Sequence, residues 1–565
     1  MKRITDTSLA ASNASAMDLF VVDWRDVWQD ADTSEPVGAV FTKPEIVRLI
    51  LDLAGYTTDR PLLDFTLLEP SCGDGAFLLE VVDRLVRTAD VAAAPVDWKD
   101  TRFDSALRAV DISLANVMSA RAQAQTWLRA RGCDQDRAIQ LADTWIVQSD
   151  FLLSEFEARF DFVVGNPPYV RIEHLPRRVL SAYRERYETA RDRADLYVAF
   201  FEQGLQLLNE GGVLAFICAN RFTKNGYGKS LRAHIAQHYH VRHYVNLEHT
   251  QPFVGDVSAY PAIFTLDRAK GQPTKSATID SLDIDVIDRL RCELLGSDGA
   301  ASMVSVFDDW YPGGAPWIST SRKSQQHHSA LADSHPTLEE SAPGTKVGIG
   351  VATGADRVFV LPAFDPSIEA DRQIPLAMAA GISPEMVIWK GHYLLNPFAA
   401  TDDGSLVSLS SHPGFAAYLR QHEEVLRARH VGQRNPNGWY RTIDRVWPRL
   451  QSEPKLLIPD IQAGGVIGYD SGEFYPHHNL YWITSTSWPL LALQTLLRSS
   501  MVTEQVRAHS VQMRGGSLRY QAQTLRRVRV PQLSRLSHDL LARLANAASS
   551  REIPLVDELA SEAFE

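Results

Sequence analysis

The chain has 565 residues, of which 45% are apolar and 9% aromatic, and it carries a formal net charge of −12. That length suggests roughly three to four domain-sized units with ample core. No apolar run approaches the roughly 20 residues that span a bilayer, and Met1 to Met17 is too polar for the apolar core of a secretory signal. The four cysteines, Cys72, Cys133, Cys218 and Cys292, form no CxxC pair. Their spacing argues against a zinc site or a disulfide framework, so no metal is expected, and a reducing cytoplasm fits.

Residues 1–36 read as an N-terminal arm. From 37 to 270, strand-like and helix-like segments alternate, with strands expected at Phe65–Glu69, Leu107–Asp111, Thr144–Asp150, Phe160–Gly165, Val213–Ala219, His243–Glu248 and Ala262–Leu266. Such alternation implies an α/β fold with a mostly parallel, Rossmann-like sheet and helices on both faces. Ligands then bind at the C-terminal ends of the strands. Residues 271–345, rich in Ser, Gly, Asp and His, read as a connector. Residues 346–565, with short strands and many turn signals, read as a second, mixed α/β domain with a helical tail.

The first strand runs into Glu69-Pro70-Ser71-Cys72-Gly73-Asp74-Gly75 and then a helix. Gly73 and Gly75 permit close backbone approach. A carboxylate at Glu69 repels a pyrophosphate but suits the positive end of S-adenosylmethionine, with Ser71 and Gly73 alongside. Asp111, followed by Ile112, ends the next strand, where an acid bonds ribose hydroxyls in dinucleotide folds. Asp150-Phe151 ends the third, offering an acceptor for an adenine amine and a ring to cover the base.

Asn166-Pro167-Pro168-Tyr169 follows the fourth strand, Phe160-Asp161-Phe162-Val163-Val164-Gly165. An aryl amine is a poor nucleophile because its lone pair is delocalised. Two acceptors on its hydrogens favour a pyramidal nitrogen. The Asn166 side-chain oxygen and the Pro167 carbonyl can supply them, since neither proline has an N–H. Tyr169 can stack on the base, Phe253 can form a second face, and Phe200 can wall the pocket. Catalysis is then mainly positioning and electrostatics. A duplex base must be flipped out to reach such a site, at a cost of a few kcal/mol. Stacking, on the order of 1–3 kcal/mol per base, largely offsets that.

Despite the acidic total, Gln505 to Arg535 holds no acid but includes Arg507, Arg514, Arg519, Arg526, Arg527, Arg529 and Arg535. Local fields steer polyanions more than net charge does, so Arg514, Arg519 and Arg526 are expected to touch DNA. A second arginine-rich run, Arg171 to Arg193, has acids mixed into it.

At this point the chain resembles the gamma-class, TaqI-like adenine-N6 DNA methyltransferases. The motif order matches: Gly38-Ala39-Val40-Phe41-Thr42-Lys43-Pro44-Glu45, the Glu69 loop, Asp111, Asp150-Phe151, NPPY, and Phe253 before Tyr260-Pro261. Lys43 stands where relatives often have a second proline. The resemblance implies that Thr42, Glu69, Asp111, Ile112, Asp150 and Phe151 contact S-adenosylmethionine. It implies that Asn166, Pro167 and Tyr169 hold the target adenine, with Phe200 and Phe253 lining the pocket. Gly348 to Gly354 and Arg514 to Gln521 look like the two ends of the family's target-recognition domain.

Too few residues precede Gly38 for a fused nuclease domain. The expectation is therefore a cytoplasmic modification enzyme acting on double-stranded DNA, possibly beside a separately encoded endonuclease of the same site. The alternatives are a protein-glutamine or RNA amine methyltransferase, and a non-catalytic DNA-binding specificity protein.

Overall fold

Apolar alternation along two central strands sets the architecture of the first unit. In Phe160–Gly165 (β4), Phe162 and Val164 enter one buried cluster and Val163 the other. In Leu208–Ala219 (β5), Ala215 and Ile217 join the first while Leu214, Phe216 and Cys218 join the second. Period-2 patterning that is apolar on both faces requires cover on both sides. Helices provide it, among them Pro44–Ala54 and Ala76–Ala92. The computed structural model describes residues 24–28, 40–92, 96–191, 194–255, 260–269, 271–296, 303–308, 310–311, 313–317, 330–400, 404–510 and 517–565. They fall into two compact units that divide between Arg322 and Lys323.

The remaining strands of the first unit are Leu67–Glu69 (β1), Leu107–Asp111 (β2), Ile146–Gln148 (β3), His240–Asn246 (β6), Pro261–Asp267 (β7), Thr274–Thr278 (β8) and Val304–Phe307 (β9). They form a nine-stranded sheet ordered β3-β2-β1-β4-β5-β7-β6-β8-β9. The strands β3 to β5 are parallel, and β7 runs antiparallel to both of its neighbours. The order reverses beside β1, which places the C-terminal ends of β1, β2 and β4 around one crevice.

One boundary differs from expectation. Part of the stretch 271–345, read as a connector, supplies β8, β9 and the helix Ile284–Leu295, and β8 pairs in parallel with β6. Its sequence, Thr-Lys-Ser-Ala-Thr, hides the strand because polar side chains are buried there. Thr274 is inaccessible and donates its hydroxyl to the Val241 carbonyl at 2.7 Å.

The second unit contains a four-stranded sheet of Lys346–Ile349 (β10), Leu480–Thr484 (β18), Lys455–Pro459 (β14) and Gly468–Asp470 (β16), in that order. A second sheet orders Val360–Leu361 (β11), Tyr393–Leu395 (β13), Gln373–Ala377 (β12) and Tyr475–Pro476 (β17). Ile461–Gln462 (β15) pairs with Leu518–Arg519 (β19). Helices Leu490–Arg498, Ser500–His509, His538–Asn546 and Ile553–Phe564 close the unit. Among the described residues no helix is long and apolar enough to cross a membrane.

Burial on β6 makes stability depend on pH. Desolvation, with Arg242 and Lys275 adding to it, holds the His243 imidazole down to about 3 from its ordinary 6.5. The unfolded chain therefore binds more protons than the folded one between those values. The contribution is complete above about pH 6.5 and is lost as pH falls below it. Between about pH 7.5 and about pH 5.5, urea unfolding should show wild type losing about 1.4 kcal/mol more than His243→Gln. Parallel pH profiles for the two proteins would remove His243 from the account.

Candidate functional site

The turn after β1 builds the floor of a cavity. Gly73 adopts φ 53°, and its N–H donates to Asp111 Oδ2 at 2.8 Å. Gly165, at the end of β4, has φ 153°, and a β-carbon there would lie 3.6 Å from Pro70 Cδ and 3.7 Å from Glu69 Cγ. A side chain at Gly165 is disfavoured by its dihedral, so the Glu69 loop and the NPPY loop sit flush. Ser71 Oγ fastens them by donating to the Asn166 carbonyl at 3.1 Å.

The cavity gathers Thr42, Glu69, Ser71, Gly73, Asp111, Ile112, Asp150 and Phe151, together with Asn166, Pro168 and Phe200. Glu69 is buried, and its Oε2 has no hydrogen-bond partner. Burial, then the charges of Asp111 and Asp74, pushes its carboxyl well above the usual range. Asp111 accepts from Gly73, from the Ser113 N–H at 2.8 Å and from Asn116 Nδ2 at 3.1 Å. Burial still raises its pKa against those bonds.

Asn166 has a divided side chain. Nδ2 donates to the Val40 carbonyl at 2.7 Å and to Thr42 Oγ1 at 3.3 Å, while Oδ1 is buried without a partner. The same short segment continues outward. Lys43 N donates to the Pro252 carbonyl at 2.9 Å, Val254 N donates to the Phe41 carbonyl at 2.8 Å, and Thr42 bridges to Phe253. Val40 to Lys43 therefore touches Asn166 on one side and the Phe253 loop on the other.

The other predicted residues have these surroundings. Asp150, expected to face an adenine amine, already accepts from Trp28 Nε1 at 2.8 Å and Tyr183 Oη at 2.7 Å on Oδ2. Its Oδ1 accepts from the Leu152 N–H at 2.8 Å and the Leu153 N–H at 3.3 Å. Phe200 packs on Phe151, with ring centroids 5.0 Å apart, within the Glu69 cavity rather than beside Tyr169. Tyr169 and Phe253 lie outside that cavity lining and meet each other edge to face, 5.8 Å apart and at 77°. Pro167 is also outside the lining.

Trp28, Phe41, Leu175 and Tyr183 line the cavity without having been singled out in the sequence. Trp28 lies one helical turn from Trp24 in the arm, and nothing in the sequence ties it to the cavity. Tyr183 lies in the second arginine run, where Arg186 and Tyr187 buttress the loop after Asp150. Arg186 donates to the Leu153 and Ser154 carbonyls at 3.0 and 2.9 Å, and Tyr187 Oη to the Leu152 carbonyl at 2.6 Å.

Two of the three arginines expected to touch DNA make contacts within the protein. Arg519 pairs with Asp460 through Nε at 3.2 Å and through Nη2. Arg526 pairs with Glu339 at 3.3 Å and donates to the Val347 carbonyl. Arg514 lies outside the described residues.

Comparison with known proteins places these features in a family. The family model described as Eco57I restriction-modification methylase matches residues 99–253. The chain is 42% identical to the type II methyltransferase M.PaeR7I of Pseudomonas aeruginosa, over 92% of this chain and 90% of that protein. It is 39% identical to the type II methyltransferase M.BstVI of Geobacillus stearothermophilus, over 94% and 96% respectively. In fold it is similar to the type IIL restriction-modification enzyme MmeI, whose structure was solved in complex with DNA. That likeness has a TM-score of 0.60 at 13% identity and covers 92% of this chain and 74% of that one.

Proposed function

The chain belongs to the type II methyltransferases of restriction-modification systems, and on that premise we propose that it methylates the N6 amine of an adenine flipped out of double-stranded DNA, with S-adenosylmethionine as donor. One observation carries the reading. Two buried acceptors without partners, Glu69 Oε2 and Asn166 Oδ1, belong to residues of one cavity.

The donor fits these residues. Glu69 is a buried carboxylate lacking a counter-charge, and a cationic or hydroxyl-bearing guest satisfies it. Ile112, Phe151 and Phe200 offer apolar faces for an adenine ring, and Asp111 accepts from ribose hydroxyls. When bound, S-adenosylmethionine supplies an electrophilic methyl carbon on a positive sulfur. The chain's task is to present the acceptor. The Nδ2 anchors on Val40 and Thr42 leave Asn166 with its oxygen as the free pole, and the Pro167 carbonyl provides the second acceptor for an amine with two hydrogens. Fixed acceptors need no reorganisation during reaction. A base stacked on Tyr169 displaces the Phe253 edge that now rests there, exchanging one aromatic contact for another of similar worth.

In this setting the enzyme protects its host's DNA from a separately encoded endonuclease that cuts the same site when unmodified. The test is transfer of labelled methyl to unmethylated duplex DNA, followed by digestion to nucleosides. N6-methyladenine should carry the label. Label on cytosine, or only on RNA or protein, would overturn the proposal.

A further inference from the structure

The second unit holds a cluster that methyl transfer does not use. Three ligand atoms, one each from Asp356, His477 and His478, lie within 4.8 Å of one another. His477 Nε2 is 3.1 Å from Asp356 Oδ2, and His478 Nδ1 is 3.8 Å from the same oxygen. The imidazole centroids are 4.1 Å apart.

We propose that Asp356, His477 and His478 bind one divalent transition-metal ion of the zinc class. The first support is the orientation of His477. Its side chain is only 6% exposed, and its Nδ1 is 2.9 Å from Asn479 Oδ1, which holds the ring with Nε2 facing Asp356 Oδ2.

The second support is the outer layer. Metal-bound histidines give their other N–H to an acceptor that fixes the ring, and metal-bound carboxylates are themselves hydrogen-bonded. Asn479 does the first for His477, and Thr353 Oγ1 does the second by donating to Asp356 Oδ1. Backbone bonds hold the histidine loop. His477 N donates to the Ala377 carbonyl at 3.1 Å, and Leu480 N to the His477 carbonyl at 2.8 Å.

The third support is spacing. Metal–ligand bonds of about 2.0–2.1 Å put tetrahedral ligands roughly 3.3 Å apart. The pair from His477 is already near that. His478, with a side chain 45% exposed, stands 3.8 Å from the same carboxylate oxygen. The shallow cleft shared by Asp356 and His478 is also lined by Thr353, Gly354 and Ile443, leaving room for water as a further ligand. Nitrogen, nitrogen and carboxylate favour zinc, cobalt or nickel over magnesium or calcium. A bound ion fastens the turn Thr353–Phe359 to the loop between β17 and β18.

The test uses the untagged full chain, stripped with a chelator. Titration with Co²⁺, followed by its visible absorption, and with Zn²⁺, by calorimetry, should each saturate at one ion per chain. His478→Ala and Asp356→Asn should weaken binding by at least about tenfold, and Asn479→Ala by about 10–100-fold. Zn²⁺ should raise the thermal midpoint of wild type but not of His478→Ala. His478→Gln serves as the second variant if the alanine form does not fold. Absence of saturable binding, or equal binding by wild type and both ligand variants, would overturn the site.

Discussion

Asn166→Ala should lower the rate of methyl transfer by about 10²–10³-fold, equivalent to about 2.7–4 kcal/mol, the loss seen when a positioned electrostatic partner of a reacting group is removed. The geometry makes the effect specific to the acceptor. The side-chain amide nitrogen is spent on Val40 and Thr42, which leaves Oδ1 as the free pole. Alanine removes that pole but keeps the residue's backbone carbonyl, which Ser71 holds to the Glu69 loop. Donor affinity should therefore change little while single-turnover transfer collapses. Turnover within about tenfold of wild type would take Asn166 out of the chemistry.

Asp470→Ala should destabilise the second unit by about 3–5 kcal/mol, measured by urea unfolding. Lys455 and Asp470 face each other across β14 and β16, 2.7 Å apart, with side chains 0% and 1% exposed. Lys455 also donates to the Gln451 and Glu453 carbonyls at 3.0 and 2.8 Å. Burial pulls its pKa down, and Asp470 opposes that pull. Without the carboxylate, an ammonium is left in the core with only carbonyl partners. Asp470 also accepts from the Glu473 N–H at 2.9 Å, so the turn after β16 loosens as well. The double variant Lys455→Met with Asp470→Leu should recover much of the loss, because it leaves no charge to desolvate. A single-variant cost under about 1 kcal/mol would show that water reaches the pair.

The sheet was legible because most of its strands are short apolar runs flanked by turn residues, and strand-to-helix alternation fixes a parallel order. The cavity-lining acids were legible for the same reason. Glu69, Asp111 and Asp150 are acids at the ends of such runs, and the topology delivers those ends to one crevice. What escaped depends on distant neighbours. Thr274–Thr278 reads as polar yet is a strand of the sheet, and the Thr274 hydroxyl finds the Val241 carbonyl on β6. Arg519 reads as a free cation until Asp460 appears beside it. Phe200 reads as a wall of the base pocket, and only the fold reveals its contact with Phe151 in the Glu69 cavity. Trp28 could not be foreseen, because nothing local links an arm residue to the loop at Asp150. The adjacent histidines at 477 and 478 carry no cysteine-like spacing, and their convergence on Asp356 is a product of the fold.

The segment Val40 to Lys43 has a further consequence. It braces Asn166 and, through Pro252 and Phe253, the aromatic side of the acceptor slot, while Phe41 lies against Gly73 in the donor loop. Under the proposed function, this strap of backbone is a clamp shared by donor and base. Free energy spent stiffening it for the first guest is not spent again for the second, and reciprocity requires each to help the other by the same factor. On that reading, four residues of extended chain couple the two binding events.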